Sequence, residues 1–420
     1  MKIVQLTELS SDFIQPQIMN RIDSVRSILD RIRLEGDPAV RDYSRKFDQV
    51  ELEEFRIGRD EIMTAHHRMP DDLKAAVTQS ACNIRRFAQR QFQQFENFEI
   101  EIEPGVVTGQ RVMPLQRVGV YVPGGRFPLI SSVLMGVIPA QVAGVEEIMV
   151  CSPPGFQGSC HPHILAAAHI LGITEIYRIG GVQAIGAMAY GTHSIRRVNK
   201  IVGPGNQYVA QAKKEVYGSV GIDFIAGPSE IMIIADASAD PDRVAADILS
   251  QAEHDVDASA ILITDSQELA EQVQARVDAR LAELSTRSVA MISLERNSLI
   301  ILVRRLSQAV EIANLKAPEH LELQVKDSAG LIPDLKNFGS LFIGSWSTEP
   351  LGDYSSGLNH TLPTNQSATY TGGLSVKDFI KLQTYLKCNA QGIRQIGRSA
   401  VILAEAEGLS AHAEAVRARL

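Results

Sequence analysis

The alternation of apolar and polar positions changes character along the chain. Over the first hundred or so residues, apolar positions recur at helical spacing between charged faces. This predicts helices over 18–36, 38–47, 60–67 and 71–98. The last, rich in Arg and Gln, is long enough to serve as a bracing arm. Strand signals begin at Val106 and become clear at Val118-Gly119-Val120-Tyr121. Short apolar runs then alternate with helical segments. Strands are expected at 148–150, 175–179, 198–202, 230–235, 260–264 and 298–303. Helices are expected at 163–171, 181–188, from Asn206 toward Val216, from Asp240-Pro241, and at 267–284. Beyond Trp346 the pattern weakens. Residues 352–374 read as an ordered loop rich in Gly, Ser, Thr and Asn, and 399–420 as a helix pair broken at Gly408.

Repeated strand–helix units imply parallel sheet covered by helices on both faces. The predicted class is α/β with two incomplete Rossmann-like, doubly wound parallel sheets, a helical N-terminal segment and a small C-terminal tail. The boundaries fall at 1–105 for the N-terminal segment and arm, 106–235 for the first sheet domain, 236–375 for the second with active-site loops, and 376–420 for the tail.

Composition narrows the function. A chain of 420 residues with 45% hydrophobic and 21% charged content fits an ordinary globular protein. Net charge is −8 and the basic residues are dispersed, so nucleic acid is not expected as a partner and a small molecule is. Cys82, Cys151, Cys160 and Cys388 form no CxxC pair. The N-terminus turns polar too soon for a signal peptide, and the most apolar window, 129–150, is broken by Pro139, Gln141, Glu146 and Glu147. These features predict a cytoplasmic, reduced protein with no membrane partner.

Ligands of open parallel sheets gather at the carboxyl ends of strands. Three Gly/Pro turns are placed at such ends: Gly180-Gly181, Gly203-Pro204-Gly205-Asn206 and Gly227-Pro228-Ser229-Glu230. None completes GxGxxG. The stretch Ser250-Gln251-Ala252-Glu253-His254 puts Gln251 and His254 three apart, on one face of the helix opening at Pro241. A carbonyl oxygen and an imidazole there form half of a metal site, although taken alone the pair reads first as a helix cap or an interhelical hydrogen-bonding pair. Asp353 and His412 offer the other half, giving mixed N and O donors that suit zinc. Taken singly, Asp353 also reads as a turn cap and His412 as a surface histidine. Glu319 and His320 follow Pro318 and are placed in the opening turn of a helix. There His320 could be a general base, or Glu319 simply a favoured first-turn acid. His360 lies in the ordered loop. Cys160-His161-Pro162-His163 imitates a ligand set, but Pro162 starts a helix within it.

In order along the chain, Tyr121-Val122-Pro123-Gly124-Gly125, Gly180 to Ile185, Val202 to Asn206, Ala226 to Glu230, Ser250 to His254, Ala317 to Leu321, Gly352-Asp353-Tyr354, Asn359 to Thr364 and Glu405 to His412 resemble the histidinol dehydrogenase family. The resemblance implies a zinc- and NAD-dependent oxidoreductase that converts L-histidinol to L-histidine through L-histidinal, by two hydride transfers. It implies one zinc per subunit on Gln251, His254, Asp353 and His412, with His412 contributed in trans across a homodimer. It implies Glu319 and His320 as catalytic residues. Substrate contacts would come from Ser229, Gln251, His254, His320, Asp353, His360, Glu407 and His412, and NAD contacts from Tyr121, Gln183 and Asn206. Two departures, the bulky Arg126-Phe127-Pro128-Leu129 and Leu358 before Asn359, leave open a related dehydrogenase acting on another small primary alcohol such as a sulfopropanediol. A non-catalytic, metabolite-binding zinc dimer is the alternative from a different class.

Overall fold

The computed structural model describes residues 1–15, 22–124, 127–155 and 158–420. The start of the first predicted helix, together with Gly125 and Arg126, therefore lies outside the described residues. The chain opens with a strand, β1 (Lys2–Gln5), where only helix was expected. The helix Asp23–Glu35 follows, burying Val25, Ile28, Leu29 and Ile32 at the i, i+3, i+4, i+7 spacing that faces a core. The helices Asp37–Tyr43, Arg59–Arg68 and Asp71–Phe92 complete the N-terminal layer.

Next come β2 (Phe98–Glu103) and β3 (Val106–Pro114), then β4 (Arg117–Tyr121), β5 (Glu147–Ser152), β6 (Ile176–Arg178), β7 (Lys200–Val202) and β8 (Gly221–Ile222). The second half supplies β9 (Glu230–Ala235), β10 (Ser259–Thr264), β11 (Leu299–Leu302), β12 (His320–Gln324), β13 (Ser340–Ile343) and β14 (Ile380–Cys388).

These strands form two parallel sheets and one antiparallel sheet. The first is five-stranded, ordered β6-β5-β4-β7-β8, and the second six-stranded, ordered β1-β11-β10-β9-β12-β13. Every residue of β4, β9 and β12 is buried, as expected of strands covered on both faces. The result is the two Rossmann-like sheets expected. The strands divide the chain differently from the predicted boundaries, however. β9, assigned to the first domain, is central in the second sheet, and β1 from the N-terminal segment pairs with β11 at that sheet's edge.

The third sheet pairs β14 with β3 and β3 with β2, all antiparallel. It joins the segment predicted as the C-terminal tail to the arm near residue 100, and so places a strand at the start of a tail for which only helices were predicted. The run Ile380-Lys381-Leu382-Gln383-Thr384-Tyr385-Leu386 alternates with a period of two, so the strand signal was present in the tail. Its partner lies far back in the chain. Beyond it, the helices Ala390–Ala406 and Ser410–Arg417 pack on each other through Val401, Ala404, Ala413 and Val416. Among the described residues no helix is long and apolar enough to cross a membrane.

Candidate functional site

Two edges of this framework collect polar side chains. One is the carboxyl edge of the five-stranded sheet. The chain moves outward from β4 through β5 to β6, then returns to β7 on the other side of β4. That reversal opens a crevice at the carboxyl ends of β4 and β7, the usual ligand position of an open α/β sheet. Tyr121 ends β4, and its hydroxyl accepts the N–H of Gly181 at 3.1 Å. Gln183, in the first turn of the helix Gly181–Tyr190, donates to Asp48 at 2.9 Å. Burial pushes the Asp48 carboxyl up to about 6. Asn206 caps the helix Gln207–Val216, accepting the N–H groups of Tyr208 and Val209 at 3.1 Å each. Gly203 has φ +117°, and a Cβ there would collide with the Tyr121 carbonyl. Backbone, Tyr121, Gln183 and Asn206 thus share one edge.

The second collection lies at the amino edge of the six-stranded sheet. This corrects the placement of the Gly227-Pro228-Ser229-Glu230 turn, which leads into β9 instead of leaving a strand. It also corrects Glu319 and His320. The helix Leu306–Lys316 stops at Ala317, which has φ +47°, and His320 is the first residue of β12. A proline disfavours the helical region for the residue before it, so Pro318 ends the helix here and does not begin another. Glu319 accepts the N–H of Glu230 at 3.0 Å, and His320 Nδ1 lies 3.1 Å from the Glu230 carbonyl oxygen. A carbonyl can only accept, so Nδ1 carries the proton and Nε2 keeps its lone pair.

Gln251 and His254 straddle a helix end instead of sharing a helix interior. The helix Pro241–Ala252 contains Gln251 in its last turn, and the N–H of His254 donates to the Gln251 carbonyl at 3.3 Å. Gln251 is fully buried, and neither its Oε1 nor its Nε2 has a hydrogen-bond partner. Asp353 was expected in a loop. It lies in the short helix Glu349–Tyr354, four residues after Glu349 and on the same face. Ligand atoms of His254, Glu349 and Asp353 all lie within 4.8 Å of one another. His320 Nε2 is 3.6 Å from Glu349 Oε1, and His360 Nδ1 is 3.8 Å from Asp353 Oδ1. His360 Nε2 reaches Ser132 at 3.3 Å, on the helix Ile130–Ala143 that covers the first sheet. The loop around His360 therefore links the two collections.

Burial governs the charges. It pushes the His320 imidazole down to about 4, so the ring is neutral at pH 7. It holds the Glu319 carboxyl well above the usual range. Burial, then the nearby Asp353, pushes Glu349 up to about 10. Among the described residues no Lys or Arg forms an ion pair with Glu349 or Asp353. A divalent cation would supply the missing positive charge and restore ionised carboxylates. The clustered donors are nitrogen and oxygen, and Gln251, three residues before His254, carries a fully buried amide with no partner. This set fits zinc.

The structure does not bring His412 or Glu407 into this group. Both are exposed at the C-terminal helix pair. Ser229 is half-buried just before β9. Sequence reasoning missed Glu349, although Thr348-Glu349-Pro350 is a helix-start pattern and the four-residue step to Asp353 follows from it. It also missed Glu230, whose carbonyl sets the His320 tautomer.

The histidinol dehydrogenase family model matches residues 15–420. The chain is 46% identical over 397 residues to histidinol dehydrogenase of Geobacillus kaustophilus, spanning 94% of this chain and 93% of that one. It is 48% identical over 398 residues to the Aquifex aeolicus histidinol dehydrogenase, spanning 94% and 92%. The crystal structure of histidinol dehydrogenase from Elizabethkingia anophelis matches with a TM-score of 0.94 at 39% identity, covering 100% of this chain and 98% of that chain. The chain belongs to the histidinol dehydrogenase family of oxidoreductases.

Proposed function

We propose that this protein oxidises L-histidinol to L-histidine through L-histidinal, as a zinc- and NAD-dependent homodimer acting in histidine synthesis. The observation carrying this reading is a buried, neutral histidine beside a buried glutamate, both next to a cluster of N and O donors. When bound, zinc would orient the substrate's nitrogen atoms and NAD would accept hydride. Gln251, His254 and Asp353 would hold the metal together with the partner's His412, and Tyr121, Gln183 and Asn206 would face the cofactor. The test is NADH formation from histidinol at two per substrate. NADH only from other alcohols would sink the substrate assignment.

His320 takes the proton of the alcohol on Nε2, because Nδ1 is committed to the Glu230 carbonyl. Glu319 removes a proton from the water that adds to the aldehyde. Two bases side by side suit two oxidations of one carbon. Ser229 and His360 contact the substrate together with the partner's Glu407, which would arrive with His412 on the same C-terminal segment, and a carboxylate there suits an amino or imidazole group.

The two bases differ in when they are active. His320 works as the neutral ring, a form lost only as pH falls through about 4. Glu319 works as the carboxylate, which its raised value makes available only as pH rises beyond the ordinary range. In single turnovers the acid limb of the aldehyde step is therefore expected at higher pH than that of the alcohol step. Glu319→Gln should slow the aldehyde step more than the alcohol step. Equal slowing of both would remove Glu319 from water activation.

The site is completed across two chains in this reading. Phe98 and Ile100 on β2 and Leu382 and Leu386 on β14 are about half exposed or more, and their register places them on one face of the antiparallel sheet. Such an apolar face suits a second copy of the chain. Mixing His412→Ala with His320→Ala should restore activity through hybrid dimers. No recovery despite demonstrated subunit exchange would place the whole site within one chain.

A further inference from the structure

We propose that Glu349 is a cation ligand, so that each protomer takes up a divalent ion on Glu349 together with Gln251, His254 and Asp353 before the partner's His412 reaches it. This rests on the zinc reading above and adds a donor from the same chain.

The placement of Glu349 is specific. Glu349 and Asp353 project one turn apart from a single helix, and His254 arrives from the end of another. Their ligand atoms fall within 4.8 Å of one another. Donors on one tetrahedral zinc ion lie about 3.4 Å apart, so a small inward shift of each side chain closes the set. The Glu349 side chain is 1% exposed, and its Oε1 has no hydrogen-bond partner. The atom opposite, His320 Nε2, is buried and equally without one.

The backbone around Glu349 is held from behind. Its N–H donates to Glu322 Oε1 at 2.9 Å, and the Thr348 hydroxyl donates to Asp247 Oδ1 at 2.7 Å. Those interactions fix where the helix starts, and they leave the Glu349 carboxyl turned to the donor cluster. Among the described residues Asp247, Glu322 and Glu349 have no Lys or Arg partner. Buried carboxylates are retained when paired or when they coordinate a metal.

The competing role is purely positional, with Glu349 only orienting His320. The two roles separate on metal affinity, measured by equilibrium dialysis of full-length protein against a competing chelator, with zinc quantified directly. His412→Ala removes the partner's donor and should still retain zinc. Adding Glu349→Gln in that background should weaken zinc by about tenfold or more, and Glu349→Asp, which keeps the charge, by less. Thermal melts confirm folding, and Glu349→Asp carries the comparison if the Gln variant does not fold. Zinc affinity unchanged within about twofold on adding Glu349→Gln overturns the proposal. If Asp353→Ala loses zinc while Glu349→Gln keeps it, only this inference falls. If wild type binds none, the zinc reading falls with it.

Discussion

Replacing His320 by Asn is expected to lower the hydride-transfer rate by about 10²–10⁴-fold, while zinc content and dimerisation stay as in wild type. The size of the loss follows from the burial of the ring. The His320 side chain is 5% exposed, so solvent has little access to replace it as proton acceptor. Asn can still meet the Glu230 carbonyl through its amide but offers no basic nitrogen. Single-turnover NADH formation from histidinol separates the chemical step from product release. Full activity in the variant would exclude His320 as the base. The commitment of Nδ1 to Glu230 adds a sharper expectation. Any change that moves the amino end of β9 should slow the alcohol step, because β9 sets which nitrogen is free.

Replacing Asp353 by Ala is expected to strip zinc on dialysis and reduce histidinol oxidation by about 10²-fold or more, since positioning alone is worth that much. Asp353 meets His254 and Glu349 on one side and His360 on the other, so one substitution disturbs both metal and substrate contacts. Stability should move the opposite way. Asp353 raises the ionisation cost of Glu349 and Glu319, so metal-free Asp353→Ala should melt no lower than the metal-free wild type. Wild type should then rise above the variant when zinc is added, because the ion binds the folded state. A variant that melts lower without zinc and gains equally from it would contradict this account.

Much of the framework was legible in the order of residues. The strand–helix alternation from Val118 onward reflects strands buried on both faces, and such strands read as short apolar runs whatever their neighbours. Glycine turns at 180–181 and 203–205 do fall at the carboxyl edge of the first sheet, where the backbone passes close, as Gly203 does against Tyr121. The resemblance to a family rested on short segments in a fixed order, and the matches with curated relatives extend it over 94% of the chain.

Other features depend on contacts that local pattern cannot encode. β14 alternates clearly, but it is a strand because β3, far earlier in the chain, lies beside it. β1 likewise needs β11. Pro318 carries two local meanings, helix start and helix stop, and the open edge of β9 decides between them by pairing with β12. The spacing of Gln251 and His254 suggested one helical face, yet the helix ends between them and the imidazole emerges from the turn. Glu349 carried only a local signal, the helix start at Thr348-Glu349-Pro350 four residues before Asp353, and its closeness to His254 and His320 exists only once separate segments have packed.

The amino-acid sequence by itself determined the α/β class, the family and the kinds of donor available, because side-chain periodicity and residue chemistry are local properties. The tertiary structure decided which acids face one another, which nitrogen of His320 is free, and that His412 stands apart from its proposed metal partners. Those are properties of distance and desolvation, and they exist only once remote segments have packed together.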